Sequence, residues 1–277
     1  IEDMLPAEAA GIERLRRITL DLFERWGYQL VMPPMLEYLE SLLTGTGHDL
    51  DLRTFKLVDQ LSGRMMGVRA DITPQVARID AHLLNRGGVT RLCYCGSVLH
   101  TRAAGPAATR EPLQIGAEIY GHAGVESDVE VQRLLCETLA ACGARGTRID
   151  IGHVAVFRAI VRHAAVGKQL ESELFETLQK KDVPALRELT RTLDEGAREA
   201  LLLLPELYGG PQVLRIAERK LPKIAALTQA LATRRRLANV GGVPTSFDLA
   251  ELRGYHYHSG VVFDAYCEDV AGTVARG

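Results

Sequence analysis

Residues 91–121, RLCYCGSVLHTRAAGPAATREPLQIGAEIYG, constrain the fold more than any other stretch. Two runs, Arg91–Leu99 and Leu113–Gly121, flank a middle rich in Gly, Ala, Pro and Arg. Tyr94, Val98, Ile115, Ile119 and Tyr120 are residue types that suit a pleated, half-buried surface. The connector His100–Pro112 is too long for a tight turn and carries Arg102 and Arg110. Loops of that length between paired strands are usually functional or mobile. The residues therefore predict a long antiparallel hairpin with a basic loop. Two readings stand at this point: a loop held over a ligand, and a surface hairpin with a solvated tip.

The flanking chain alternates helical and extended patterns. Leu5–Trp26 reads as an amphipathic helix, with Ala9, Ile12, Leu15, Ile18, Thr19, Leu22, Phe23 and Trp26 recurring at three and four, and Gly27 ends it. Tyr28–Met32 reads as a strand that Pro33-Pro34 confine to an edge or an interface. Leu50–Val58 and Met65–Arg69 suggest a second hairpin, turned at Ser62-Gly63. Thr73-Pro74 reads as a cap and first helical turn, followed by the stripe Val76, Ile79, Leu83, Leu84. Ser127–Glu130 fits a capping box for a helix that stops at Gly143, and Thr147–His153 alternates as a strand. From Ala155 to Arg236 the pattern is helical, punctuated by Pro184, Pro205, Pro211 and Pro222; Phe247–Glu251 and Gly260–Tyr266 return as strands. The expected class is α+β, a mainly antiparallel sheet flanked by helices, with a helical insertion. The expected partition is a core over 1–154, a mainly helical insertion over 155–240, and a return to the core sheet over 241–277.

Charge and cysteine content narrow the function. A net charge of −2 and a pI near 6.5 lack the basic excess of a polyanion-gripping protein. Five cysteines, odd in number and without metal spacing, suit a reducing, cytosolic compartment. No signal peptide and no apolar run near 18 residues is visible, so no membrane span is expected. No dinucleotide or P-loop glycine fingerprint is present, and no cofactor is expected. His256 and His258 share one face of an extended segment without a third ligand, so packing or a substrate contact is favoured over a metal.

Four ordered stretches together resemble the catalytic core of histidyl-tRNA synthetase, a class II aminoacyl-tRNA synthetase. The first helix with Gly27 and Pro34 resembles motif 1, the dimer interface in that family. Residues 91–121 resemble motif 2 without a gap, and Leu252–Phe263, LRGYHYHSGVVF, resembles the histidine-recognising signature. LRTFKLVDQLSGRMMGVRADITPQVARIDAHLL (52–84) is similar to the pattern of the family of ATP phosphoribosyltransferase regulatory subunits, synthetase paralogues of histidine biosynthesis. The chain ends at Arg276-Gly277, which resembles the lead-in to motif 3.

The resemblance implies both a loss and a retention. Motif 2 of the synthetases carries Arg-x-Glu, whose Arg clamps the ATP α-phosphate and the amino-acid carboxylate; those positions are His100 and Arg102 here. An always-charged fork gives way to a group mostly neutral at pH 7, and a carboxylate to a cation. Losing such a clamp typically costs a few kcal/mol in the transition state, roughly 100-fold or more in rate. Adenylate formation is expected to be lost, unless Arg110 substitutes for the clamp. The implied histidine-binding set is Asp71, Thr73, Arg110, Gln114, Glu118, Arg253 and Tyr257. Acidic groups there suit an ammonium, Arg253 a carboxylate, and the polar groups an imidazole.

The resemblance thus implies a non-catalytic regulatory subunit. Its partner is the short-form ATP phosphoribosyltransferase catalytic subunit, its effector is L-histidine, and it forms a homodimer within a hetero-oligomer. No tRNA and no membrane are expected as partners. The alternatives are an active histidyl-tRNA synthetase core and a stand-alone histidine-binding module.

Overall fold

The structure is a computed structural model that describes residues 3–43, 48–103, 108–238, 240–253 and 258–277, with residues 48 and 49 traced by their backbone. The chain divides into two compact units, Ile1–Ser127 and Asp128–Gly277.

In the first unit, α1 (Pro6–Arg25) buries Thr19, Leu22 and Phe23, with Pro6 in its first turn where no amide partner is needed. β1 (Gln29–Leu30) is a two-residue edge strand that runs parallel to β5 (Thr90–Ser97), which pairs antiparallel with β6 (Leu113–Tyr120). A second small sheet joins β2 (Leu36–Tyr38), β4 (Met65–Val68) and β3 (Phe55–Val58) in that order, both pairings antiparallel. α2 (Leu39–Leu42) follows β2, and α4 (Thr73–Arg78) continues into a π-helical turn over Ile79–Leu84. Ile72, Val76, Leu92, Tyr94 and Val98 form the core between α4 and the β5–β6 face.

Three local expectations change. Leu50–Arg53 belongs to α3 (His48–Arg53), not to a strand; the alternation of Asp and Leu mimics a two-residue period, while the Thr54 hydroxyl closes on the Leu50 carbonyl at 2.7 Å as a helix end does. Thr73 is not the cap of α4, because Asp71 Oδ1 takes the Thr73 amide at 2.9 Å and leaves the hydroxyl for other partners. The capping box at Ser127 does not form: α5 (Val125–Ala141) starts earlier, and the Ser127 hydroxyl pairs with His122 Nδ1 at 2.9 Å.

In the second unit, β7 (Arg148–His153) is central to the sheet, antiparallel to β10 (Val261–Cys267) and parallel to β9 (Thr245–Asp248). The edges are β8 (Tyr208–Gly209) beside β9 and β11 (Val270–Arg276) beside β10. Between β7 and β9 run α6 (Val154–His163), α7 (Lys168–Gln179), α8 (Val183–Leu189), α9 (Glu195–Leu203), α10 (Gln212–Lys220) and α11 (Ala225–Leu237). Asp182 and Asp194 cap α8 and α9 through their carboxylates, and Pro184 sits in the first turn of α8. Ile149, Ile151, Phe157, Leu174, Leu201, Leu231, Phe247 and Phe263 share one continuous apolar core. Among the described residues no helix is long and apolar enough to cross a membrane, and no group of three or more His, Cys, Asp or Glu gathers to hold a metal.

Candidate functional site

The β5–β6 register builds the floor of the site. Leu92, Tyr94 and Gly96 face Glu118, Gly116 and Gln114 across the ladder, so all six lie on one face of the hairpin. Both glycines are sterically required there. A Cβ at Gly96 would lie 2.2 Å from Arg69 Nη2, and one at Gly116 would lie 2.3 Å from the Tyr94 ring and hydroxyl. Two large polar side chains therefore cross the sheet where β-carbons are absent.

Asp71-Ile72-Thr73 is laid over this floor. Gln114 receives the Ile72 amide on Oε1 at 2.9 Å and donates Nε2 to Asp71 Oδ1 at 2.8 Å. The Thr73 hydroxyl lies 2.9 Å from the Tyr94 hydroxyl and 3.1 Å from Glu118 Oε1, with Tyr94 OH to Glu118 at 3.4 Å. Asp71, Thr73, Gln114 and Glu118, all expected from sequence, are thus one network with Tyr94 added.

Burial pushes the Glu118 carboxyl up to about 7, with the Asp71 charge adding and the Thr73 and Tyr94 hydrogen bonds opposing. Burial also drives the Tyr94 phenol far up, so Tyr94 stays a donor. Arg69, buried, donates Nε to the Ser97 carbonyl at 2.8 Å and Nη1 to the Pro33 carbonyl at 2.7 Å, bracing the strand ends.

Among the described residues, the other expected positions have the following surroundings. His100 is buried, with Nε2 3.0 Å from the Ala70 carbonyl and with Arg53 Nη2 2.9 Å from Nε2 and 3.2 Å from Nδ1. Burial first, then the Arg53 charge, lowers its pKa, so His100 is neutral at pH 7. Arg102 is exposed. Arg110 donates Nε to the His100 carbonyl at 3.0 Å and lies over the Phe55 ring at 5.1 Å; no hydrogen bond among the described residues joins it to the Glu118–Asp71 network. Arg253 lies in the second unit, where Asp264 holds it at 2.7 Å and Glu251 at 3.2 Å. Tyr257 and His256 lie outside the described residues.

Sequence reasoning missed Tyr94 and Arg53 as members of this region. A signal existed for Tyr94: a glycine directly opposite an aromatic residue, two residues from each of two polar positions on the same face. Arg53 had none, because its neighbour His100 is 47 residues away in the chain.

The histidyl-tRNA synthetase family model matches residues 1–277. A Ralstonia pickettii protein named ATP phosphoribosyltransferase regulatory subunit is 60% identical over 278 residues, covering 100% of this chain and 72% of its own length. The chain belongs to that regulatory-subunit family. A solved Bacillus halodurans structure, described as an ATP phosphoribosyltransferase regulatory subunit/histidyl-tRNA synthetase, superposes with a TM-score of 0.88 at 26% identity, over 100% of this chain and 73% of that one. The ATP phosphoribosyl transferase complex of Thermotoga maritima contains a chain that matches at TM-score 0.70 and 16% identity, over 95% of this chain and 90% of that one, a likeness of fold alone. The class II synthetase-like α+β fold expected from the motifs is therefore the fold of this family member.

The network of this regulatory-subunit family member joins two carboxylates, an amide and two hydroxyls. Its carboxylates, amide and hydroxyls can receive an ammonium and polar ring atoms. The neutral His100, its Nε2 3.0 Å from the Ala70 carbonyl, offers a phosphate no charge.

Proposed function

We propose that this chain is the non-catalytic regulatory subunit of ATP phosphoribosyltransferase, acting with a short-form catalytic subunit and sensing L-histidine at the polar network floored by β5 and β6. One pairing carries the reading: an intact Asp71–Gln114 and Thr73–Tyr94–Glu118 network beside a neutral His100, in a chain 60% identical to a named regulatory subunit.

The proposed mechanism follows from the site. The ammonium of histidine sits between Asp71 and Glu118, and its ring meets Gln114 and Tyr94. Binding this way favours one arrangement of the assembly over another. A differential affinity worth about 1–3 kcal/mol is enough for useful inhibition. No nucleotide phosphate is activated, because no fixed cation stands at position 100. Homodimer formation is proposed through the region resembling motif 1, where Leu30, Met32, Met35 and Leu36 expose large apolar side chains on and after the edge strand β1.

Mixing tests the assignment. Added to a short-form catalytic subunit, the chain changes the rate of phosphoribosyl transfer and co-elutes with it; an unchanged rate without co-elution refutes the regulatory role. Pyrophosphate release by the chain with ATP, magnesium and histidine alone would instead identify an active synthetase core.

A further inference from the structure

We propose that Arg53 is the group that receives the carboxylate of the amino-acid effector, a role that rests on the effector reading above. An amino acid brings one positive and one negative group, and Asp71 and Glu118 answer only the positive one. A ligand carboxylate held close to two protein carboxylates needs a cation beside it.

Three arginines, two of them expected in the site from sequence, are committed elsewhere. Arg69 spends its donors on the Pro33 and Ser97 carbonyls. Arg110 is turned to the His100 carbonyl and the Phe55 ring. Arg253 is held by Asp264 and Glu251.

Arg53 differs from all three. Its guanidinium is exposed, and among the described residues it meets no carboxylate; its contact is the neutral ring of His100. Arg53 Nη2 lies against the His100 ring, 2.9 Å from Nε2 and 3.2 Å from Nδ1, which places the guanidinium beside the imidazole. The backbone is fixed as well. Thr101 donates its amide to the Arg53 carbonyl at 3.0 Å and its hydroxyl to the Leu52 carbonyl at 2.8 Å, stitching the end of α3 to the residue after His100. Ala70, whose carbonyl lies 3.0 Å from His100 Nε2, precedes Asp71 of the ligand network. Arg53, His100 and Asp71 are therefore consecutive members of one wall. An Arg with unused planar donors is the side chain that matches a carboxylate two bonds at a time. His100 becomes its support, which accounts for a buried neutral imidazole where the synthetases place the cation itself.

Calorimetric titration of the full chain separates this role from a structural one. L-histidinol carries the ring and ammonium of histidine but a hydroxymethyl group in place of the carboxylate. Unsubstituted protein binds L-histidine more tightly than L-histidinol. Arg53→Gln weakens L-histidine by about 10-fold or more, the scale of a charge-assisted bond, while weakening L-histidinol by less than about 3-fold. Arg53→Lys retains part of the preference. Equal losses for both ligands, or no loss for either, overturn the assignment of Arg53. Failure of the unsubstituted protein to bind histidine overturns the effector reading and this inference with it.

Discussion

The Thr73 hydroxyl lies 2.9 Å from the Tyr94 hydroxyl and 3.1 Å from Glu118 Oε1, so one oxygen ties the start of α4 to both strands of the hairpin. Asp71 makes this possible by taking the Thr73 amide, which frees the hydroxyl from capping its own helix. The effector reading depends on this tie, because it holds Glu118 in a desolvated place where its protonation is open to change.

With a folded pKa of about 7, Glu118 holds its proton more tightly than an unfolded glutamate at about 4.3. The sign follows from linkage: the stability this contributes is complete below about pH 4 and is lost as pH rises through about 7. The thermal midpoint is expected to fall from pH 5 to pH 8, and Glu118→Gln to flatten that fall. A ligand ammonium favours the ionised carboxyl, so histidine binding at about pH 6 should expel protons from Glu118. Calorimetry in two buffers of different ionisation heat reads the release, and Glu118→Gln leaves only the contribution of the ligand's own imidazole.

Gly116→Ala places a methyl against the Tyr94 ring at a point where nothing can move but the ring itself. Denaturant unfolding is expected to show a loss of roughly 1–3 kcal/mol, the usual scale of overpacking. Tyr94→Phe keeps the ring and removes the hydroxyl shared with Thr73 and Glu118, for a loss of about 1 kcal/mol.

His100→Arg restores the synthetase residue type but does not restore the chemistry. The new guanidinium meets Arg53, whose Nη2 already lies 2.9 Å from the ring that it replaces. Like charges at that distance repel, so the thermal midpoint should drop. Pyrophosphate release with ATP, magnesium and histidine should remain at background. Release at a synthetase-like rate would show that position 100 alone separates the two activities.

In the second unit, Arg234 is fully buried, and Nε, Nη1 and Nη2 find no hydrogen-bond partner among the described residues. Asp248, the carboxylate that attracts it, is engaged by Lys181 at 2.6 Å. A buried charge without a partner costs more than its packing returns. Arg234→Met, which keeps the length of the stem, should raise unfolding free energy by roughly 1 kcal/mol or more. The same change should raise the pKa of His153, which burial and then the Arg234 charge hold at about 3. Urea unfolding and a histidine proton titration check the two parts.

The hairpin was legible because β5 and β6 carry β-favouring residues on both sides of a loop too long to be a turn, and Gln114 and Glu118 share a face at a spacing of four. Other elements were hidden for identifiable reasons. β2 (Leu36–Tyr38) is only three residues and owes its strand state to Met66–Val68 across the ladder. β11 takes its register from β10 and closes through Gly277 and Phe263, which exchange backbone hydrogen bonds. Leu50–Arg53 of α3 mimics a strand because Leu and Asp alternate there, and the helix end is fixed by Thr54 instead. The site divided in the same way. Asp71, Thr73, Gln114 and Glu118 were nameable from motif resemblance. Tyr94 and Arg53 depended on which side chains fold across a glycine or beside a distant imidazole, which is tertiary information.

The inhibition curve of the assembled complex tests the account most directly. Phosphoribosyl transfer by the short-form catalytic subunit with this chain is measured across histidine concentrations, for the unsubstituted protein and for Glu118→Ala. The account predicts inhibition by histidine in the first case. In the second, the concentration for half-inhibition rises by about 10-fold or more, as expected when a charged partner of the ligand is removed. Equal inhibition of both complexes would place the effector elsewhere and contradict the account.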